Sequence, residues 1–303
     1  MNVRKLGNWL LSDNRYAIIA VLLCSLLLLI PFPGDFLAGI IIGLVTLKRG
    51  ALYGFYLLLI LALLAFGVTW HVHEFNVFIF LLFRGFLVWL SAILIRRFYS
   101  WTITLEVMTL LGLGLILFAH FVVPDLSSLW QHALKKYIDS WQNATFAPTQ
   151  TQWQYLVQHI LPIATGLAVL FGLIGVLLQL FIARWWQARL FSPGGFAREF
   201  AMIRASRLAS IVLVMGIITV FIFPKVLADY LPILFLPFIM SGFSFIYLLS
   251  LVKRNWWLAL LVFGLVLVFF LFIIVVLLAL IGFVDSWMDL RTRFNLITKK
   301  QEV

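Results

Sequence analysis

The sequence predicts an all-α fold, a polytopic transmembrane bundle of about eight to nine helical spans with one external interfacial amphipathic helix and one cytoplasmic basic surface helix. Three observations carry that expectation. Hydrophobic residues make up 64% of the 303 residues and charged ones 11%, against roughly half and a quarter in soluble domains. The 22 Lys and Arg and the 11 Asp and Glu crowd into gaps between long apolar runs, and only Arg84 and Glu106 sit well inside one. Lipid offers no partner to a backbone amide, so each run must satisfy its own hydrogen bonds as a helix.

A crossing needs about 20 apolar residues, fewer where a helix is shielded by neighbours. The runs lie near 16–30, 35–47, 51–70, 75–95, 102–123, 160–183, 208–226, 231–252 and 256–284. Arg4, Lys5 and Arg15 precede the first run in the manner of a signal peptide, but it ends in Ile30-Pro31-Phe32-Pro33 with no small-x-small cleavage site, so a retained first helix is expected. The first two runs are short. Pro31, Pro33, Gly34 and Asp35 make a tight turn between them, giving a packed hairpin. The last run is overlong and must tilt or break.

One side of the membrane receives Arg4, Lys5 and Arg15, then Lys48 and Arg49, Arg96 and Arg97, the five arginines from Arg184 to Arg207, and Lys253 with Arg254. Positive residues stay inside, so this side and the N-terminus are cytoplasmic. The opposite side receives Asp35, the His71-Val72-His73-Glu74 turn, the balanced 124–159 segment and the Lys225/Asp229 turn. Nine spans would export the tail, yet Arg291, Arg293, Lys299 and Lys300 favour the cytoplasm. Either 256–284 bends and returns, or the rule fails at the last span; the cytoplasmic tail is preferred. The chain is thus one integral domain, with an N-terminal five-span half over 1–123, an external segment over 124–159, and C-terminal spans over 160–303 interrupted by the basic 184–207 loop.

Two segments are expected on the membrane surface. Leu126, Leu129, Trp130, Ala133, Leu134, Tyr137, Ile138 and Trp141 recur at helical spacing behind an Asp125 N-cap, followed by a polar loop from Gln142 to Gln154. On the cytoplasmic side, Phe196, Phe200 and Ile203 share one face and Arg198, Arg204 and Arg207 lie toward the other. This reads as a basic surface loop. In a sharper reading, Ser192-Pro193-Gly194-Gly195 opens a helix whose amides, with Arg198, hold an anionic headgroup or phosphate.

The Ser192-Pro193-Gly194-Gly195-Phe196 loop, the Leu44-Val45-Thr46-Leu47-Lys48-Arg49-Gly50 stretch and the closing Gly282-Phe283-Val284-Asp285-Ser286-Trp287-Met288-Asp289-Leu290-Arg291 resemble the YybS-like family of bacterial membrane proteins. The resemblance implies a protein of the bacterial cytoplasmic membrane. That family is distantly similar to the substrate-binding S components of energy-coupling-factor vitamin transporters, and Pro31 to Gly54 looks like the corresponding S-component region. S components have about six spans and this chain has more, so no ligand pocket carries over residue by residue.

Few side chains can carry chemistry. Arg84 lies near the middle of its run, where an unpaired charge costs roughly 3 kcal/mol or more. Glu106 lies about one turn into the next run, within reach of Arg84 or of Arg96 and Arg97, and Arg84 and Glu106 are read either as a buried ion pair that fixes register or as part of a ligand or ion site. His71, His73 and Glu74, with His120 on the same side, offer metal-ligand types, but without further signature a solvated cluster is expected, with neither metal nor cofactor. Gly39-x3-Gly43 and Gly50-x3-Gly54 permit close helix approach, within the bundle or to a partner subunit. No nucleophile elbow, HExxH or P-loop occurs, and an enzyme is not expected. The basic residues flank membrane runs, which argues against nucleic acid, and the single Cys24 excludes an intrachain disulfide. Two functions remain. One is a small-molecule-binding subunit similar to an S component, dependent on a partner for energy; the other is a scaffold, assembly or regulatory protein acting on lipids and partners through its amphipathic helix and basic loop.

Overall fold

The computed structural model describes residues 3–26, 34–72, 75–123, 125–139, 150–223, 227–252 and 271–293. All regular structure among them is helical. The order is α1 (Val3–Ser12), α2 (Asn14–Leu26), α3 (Gly34–Arg49), α4 (Ala51–Val72), α5 (Phe75–Phe98), α6 (Trp101–Val122), α7 (Leu126–Asp139), α8 (Gln150–Tyr155), α9 (Ala164–Phe191), α10 (Gly195–Phe200), α11 (Arg207–Ile222), α12 (Leu231–Leu234), α13 (Leu236–Val252), α14 (Leu271–Met288) and α15 (Leu290–Arg293).

Among the described residues, four helical stretches are long and apolar enough to cross a membrane: Phe78–Phe98, Trp101–Val122, Trp153–Phe191 and Ala228–Leu251. Four shorter apolar helices, Arg15–Cys24, Ala51–Gly67, Arg207–Ile222 and Ile273–Met288, accompany them. The Pro31-Pro33 turn, Lys253 with Arg254, and the first part of the 256–284 run lie outside the described residues, as do Trp141 and the tail lysines.

Two expected boundaries are corrected. The polar stretch before 160 is not a loop to its end: α8 begins at Gln150 and continues through a π turn (Leu156–Ile160) and a 3-10 turn (Leu161–Ile163) into α9. Nor does the span stop at 183. It carries Arg184, Trp185, Trp186 and Arg189 out to Phe191, because no Gly or Pro lies between Ala183 and Pro193 to end it.

The chain divides into two compact units, Met1–Thr104 with Gly172–Met202, and Leu105–Phe171 with Ile203–Val303. Each unit draws on two separate stretches of the sequence. In the first unit α3, α5 and the second half of α9 run parallel. Asp35 meets Arg84 and the Thr46 carbonyl meets Arg96, while Phe36 meets Gln179 and Lys48 meets Phe191. Antiparallel α4 returns alongside α3 and α5, its start fixed by Trp89 Nε1 donating to Ala51 O at 2.8 Å. Three parallel helices therefore bring Lys48, Arg49, Arg96, Arg97, Arg184 and Arg189 to one end. The N-terminal flank is itself a helix, α1, whose Leu10 is buried and whose Leu11 carbonyl takes a 2.6 Å bond from Arg49.

Ala17, Val21, Ala38, Ile41, Ile42, Val45, Leu57, Leu58 and Leu61 form the unit's core. Lipid tails are as apolar as these side chains, so close van der Waals fit rather than expulsion of water selects the packing. Small residues make that fit. A side chain on Gly54 would overlap the Thr46 hydroxyl, and one on Gly43 would press on Ala183 and Val88 at 3.1 and 3.4 Å. Gly50 ends α3 at φ +114°, a conformation other residues rarely adopt.

The second unit centres on Leu213, Leu234, Phe238, Ile239, Ile274 and Leu278. Here α13 and α14 cross with backbone nearly touching backbone, at Gly242 against Leu278 and at Gly282 against Phe238. Asp125 caps α7, accepting from Ser128 N at 3.0 Å. Trp130 and Leu134 are half-buried, with Trp130 Nε1 donating to Thr165 Oγ1 at 3.0 Å, while Leu129 stays exposed. The expected apolar face of α7 is thus partly taken up by the protein.

Candidate functional site

Inside the first unit, Arg84 Nη1 donates to Asp35 Oδ2 at 2.8 Å, and both side chains are largely buried, at 18% and 14% exposure. The carboxylate that partners Arg84 is therefore Asp35, not Glu106. Asp35 was expected in an external turn. It instead occupies the first turn of α3, a helix that starts at the depth of Arg84. That is about 13 Å along α5 from its N-terminal end at Phe75, taking 1.5 Å per residue. A 16-residue helix beside the 24-residue α5 thus places a carboxylate and its positive N-terminal dipole inside the bundle. Gln179 completes the group, donating through Nε2 to Phe36 O at 3.3 Å. Arg84 Nε and Gln179 Oε1 are buried with no hydrogen-bond partner among the described residues. Asp35, Arg84 and Gln179, with Gly39 and Gly85, border a cavity of about 10 Å³. That is room for one water at most. Geometrically this is an ion-pair lock.

The roomier site lies where α3, α5 and α9 deliver their basic ends. A cavity of about 320 Å³ is lined by Leu47, Lys48, Ile95, Arg96, Tyr99, Trp101, Arg184, Gln187 and Glu199. Arg96 Nη1 holds the final carbonyls of α3, Thr46 O at 3.2 Å and Leu47 O at 3.4 Å, countering the negative end of that helix. Lys48 Nζ sits 3.6 Å above the Phe191 ring. Arg184 grips Glu199 through Nε at 2.9 Å and through Nη2, and also donates to Gln187. Tyr99 projects at the rim, 85% exposed, in a left-handed conformation at φ +51° where α5 stops. Ser100 then caps α6, its Oγ accepting from Ile103 N.

The expected surface helix is rebuilt by these contacts. Phe196 and Phe200 of α10 pack on Phe181, whose ring lies tilted against Trp101 with centroids 4.8 Å apart, so this apolar face is turned inward rather than onto a membrane. The helix spans only Gly195–Phe200, with Gly194 before it at φ +83° and Ser192 accepting from Gly195 N. Six residues make too short a dipole for an anion site. Arg198 is exposed within it, whereas Arg204 and Arg207 fall beyond its end.

In the second unit Arg204 reaches Asp289 at 3.2 Å and donates to Asp285 O at 2.7 Å. Arg291, 3% exposed, bonds Asp285 Oδ2 at 2.9 Å, Ile203 O at 2.7 Å and Ser241 O at 3.4 Å. Burial pulls the Arg291 guanidinium below the ordinary arginine range, and the Asp285 charge opposes the shift. Arg207 begins α11 behind its Ser206 cap and is exposed. Glu106 is half-buried, its Oε1 without a hydrogen-bond partner among the described residues.

His73 and Glu74 lie outside the described residues, as does the side chain of His71. His120 is held by Ile116 O at 3.0 Å and faces the buried Asp229 at 3.6 Å, with Tyr230 stacked on its ring. Asp229 also accepts from Gly166 N at 2.6 Å.

Sequence reasoning missed Asp35, Gln179 and Asp285. Gln179 carried a signal, as the one amide side chain within the 160–183 run. Asp35 gave none, since a carboxylate beside prolines reads as a turn. Comparison with protein-family models, with curated proteins and with solved structures returns no match for this chain.

Proposed function

We propose that this chain is a multi-pass protein of the bacterial cytoplasmic membrane, with about eight to nine crossings and a cytoplasmic N-terminus, and that it binds a small molecule without an ATPase of its own. The cavity at the basic end of the first unit carries the reading. At about 320 Å³ it is of small-molecule size, whereas the space beside Arg84 is not. The ligand site is therefore assigned to Lys48, Arg96, Tyr99 and Trp101, with Arg84 and Asp35 as the lock that aligns α3 with α5. Resemblance to the YybS-like family, and through it to S components, agrees with a binding subunit that works with a partner. A scaffold acting through the basic loop is less well supported, because Phe200, Ile203 and Ala205 are buried and the loop's apolar face is occupied. The Arg291 bond to Ile203 favours a tail on the side of the basic loop.

Native mass spectrometry of gently purified protein tests the proposal. A retained small molecule or lipid, lost on Lys48→Glu, is expected. Ligand-free protein, or a mass that persists unchanged in the variant, would sink it. A reporter fused after Val303 that is active only outside the cell would overturn the topology.

A further inference from the structure

We propose that the cavity at the basic end of the first unit binds a phosphate group, carried either by a lipid headgroup or by a small soluble phosphoester. This rests on the small-molecule reading above and names its ligand class. The charge balance is the first argument. Three cations, Lys48, Arg96 and Arg184, line the cavity against one carboxylate, Glu199. Arg184 occupies that carboxylate from two nitrogens, which leaves Lys48 and Arg96 without an anionic partner among the described residues.

Geometry supplies the second argument. Arg96 uses Nη1 on the carbonyls of Thr46 and Leu47 and is thereby fixed in place, with further N–H donors on the same planar fork. Such a fork suits tetrahedral oxyanions. Lys48 is held as a point charge over Phe191. The 22-residue α6 begins at Trp101 in the cavity wall, and its N-terminal dipole adds positive potential beside the two side chains. Arginine and lysine near a helix N-terminus, around a cavity and not on a flat surface, make a phosphate site with walls. Tyr99 and Trp101 at the edge provide apolar surface for whatever carries the phosphate.

The test is calorimetric titration of the full chain in neutral detergent with inorganic phosphate, glycerol 3-phosphate and dihexanoyl-phosphatidylglycerol, with dihexanoylglycerol as the phosphate-free control. Saturable binding of at least one phosphate-bearing probe is expected, weakened at least about tenfold by Lys48→Glu. Arg198→Glu makes the same charge change at an exposed residue that does not line the cavity, and should alter affinity less than about twofold. Binding of the soluble probes assigns the ligand to the cytosol; binding of the lipid alone assigns it to the membrane. Tyr99→Ala, at an exposed side chain, provides a second variant should Lys48→Glu fail to fold, and should also weaken binding. Equal losses in Lys48→Glu and Arg198→Glu, or no binding to folded wild-type protein, would overturn the phosphate assignment. A neutral molecule retained in the cavity by native mass spectrometry would overturn it too, while leaving the small-molecule reading intact.

Discussion

Arg84 donates from Nη1 to Asp35 Oδ2 at 2.8 Å, joining α5 to the first turn of α3. The bond exists because α3 starts partway through the bundle, so that its opening carboxylate meets the arginine of a longer neighbour. Each charge makes the other tolerable where neither would be stable alone.

Arg84→Met is expected to destabilise the protein by about 3 kcal/mol or more, because it strands Asp35. Asp35→Leu combined with Arg84→Met should recover most of that loss. Thermal unfolding in detergent reads both, and a double variant no more stable than Arg84→Met would show that the pair is not the cause.

Gly242→Ala and Gly282→Ala should each cost about 1–3 kcal/mol, as overpacked contacts do, because their new methyl groups meet backbone of the facing helix. Gly114→Ala meets nothing within 4 Å, and should be neutral or stabilise by up to about 1 kcal/mol through helix propensity. Equal effects at Gly114 and Gly242 in the same unfolding assay would contradict the crossing.

Arg291 serves one carboxylate and two carbonyls from a single planar fork. Arg291→Lys should therefore fail to substitute for it, and both Arg291→Lys and Arg291→Gln should lose about 3 kcal/mol or more. Protease resistance of the 203–206 segment provides a local reading, and lysine retaining full protection would refute the geometry.

Asp125 has its carboxyl held below the usual range, chiefly by the Ser128 backbone amide that donates to it. A depressed value means the cap contributes in full above the unfolded-state value near about 4, and is lost as pH falls through the folded value. Protection of the first-turn amides of α7, measured as the exchange rate relative to the intrinsic rate at each pH, should fall below about pH 4, and Asp125→Ala should remove that dependence. Protection factors that stay constant from about pH 6 to about pH 3 would argue against the cap.

Much of the helix order was legible because composition leaves no alternative. Ala51–Val72, Phe75–Phe98 and Trp101–Val122 match their runs within a few residues, since a polar flank must stop where lipid stops. The basic ends of α3 and α5 were legible for the same reason, and they supply two of the cavity's three cations. What could not be read was the depth at which a short helix starts. The apolar run beside Pro31 and Pro33 looks the same whether its Asp35 is at the surface or within the bundle, and hydropathy has no depth coordinate.

The sequence by itself determined that the fold is helical, that apolar helices dominate it, and that arginines and lysines gather at span ends, because these follow from the solvation of backbone and charge. Only the tertiary structure decided that Arg84 answers to Asp35 rather than Glu106, that the face of Phe196 and Phe200 is closed on Phe181, and that Lys48, Arg96 and Arg184 surround one cavity. Those outcomes depend on the relative height and direction of helices distant in sequence, which small-residue packing at Gly39, Gly43 and Gly54 selects and which no single run encodes.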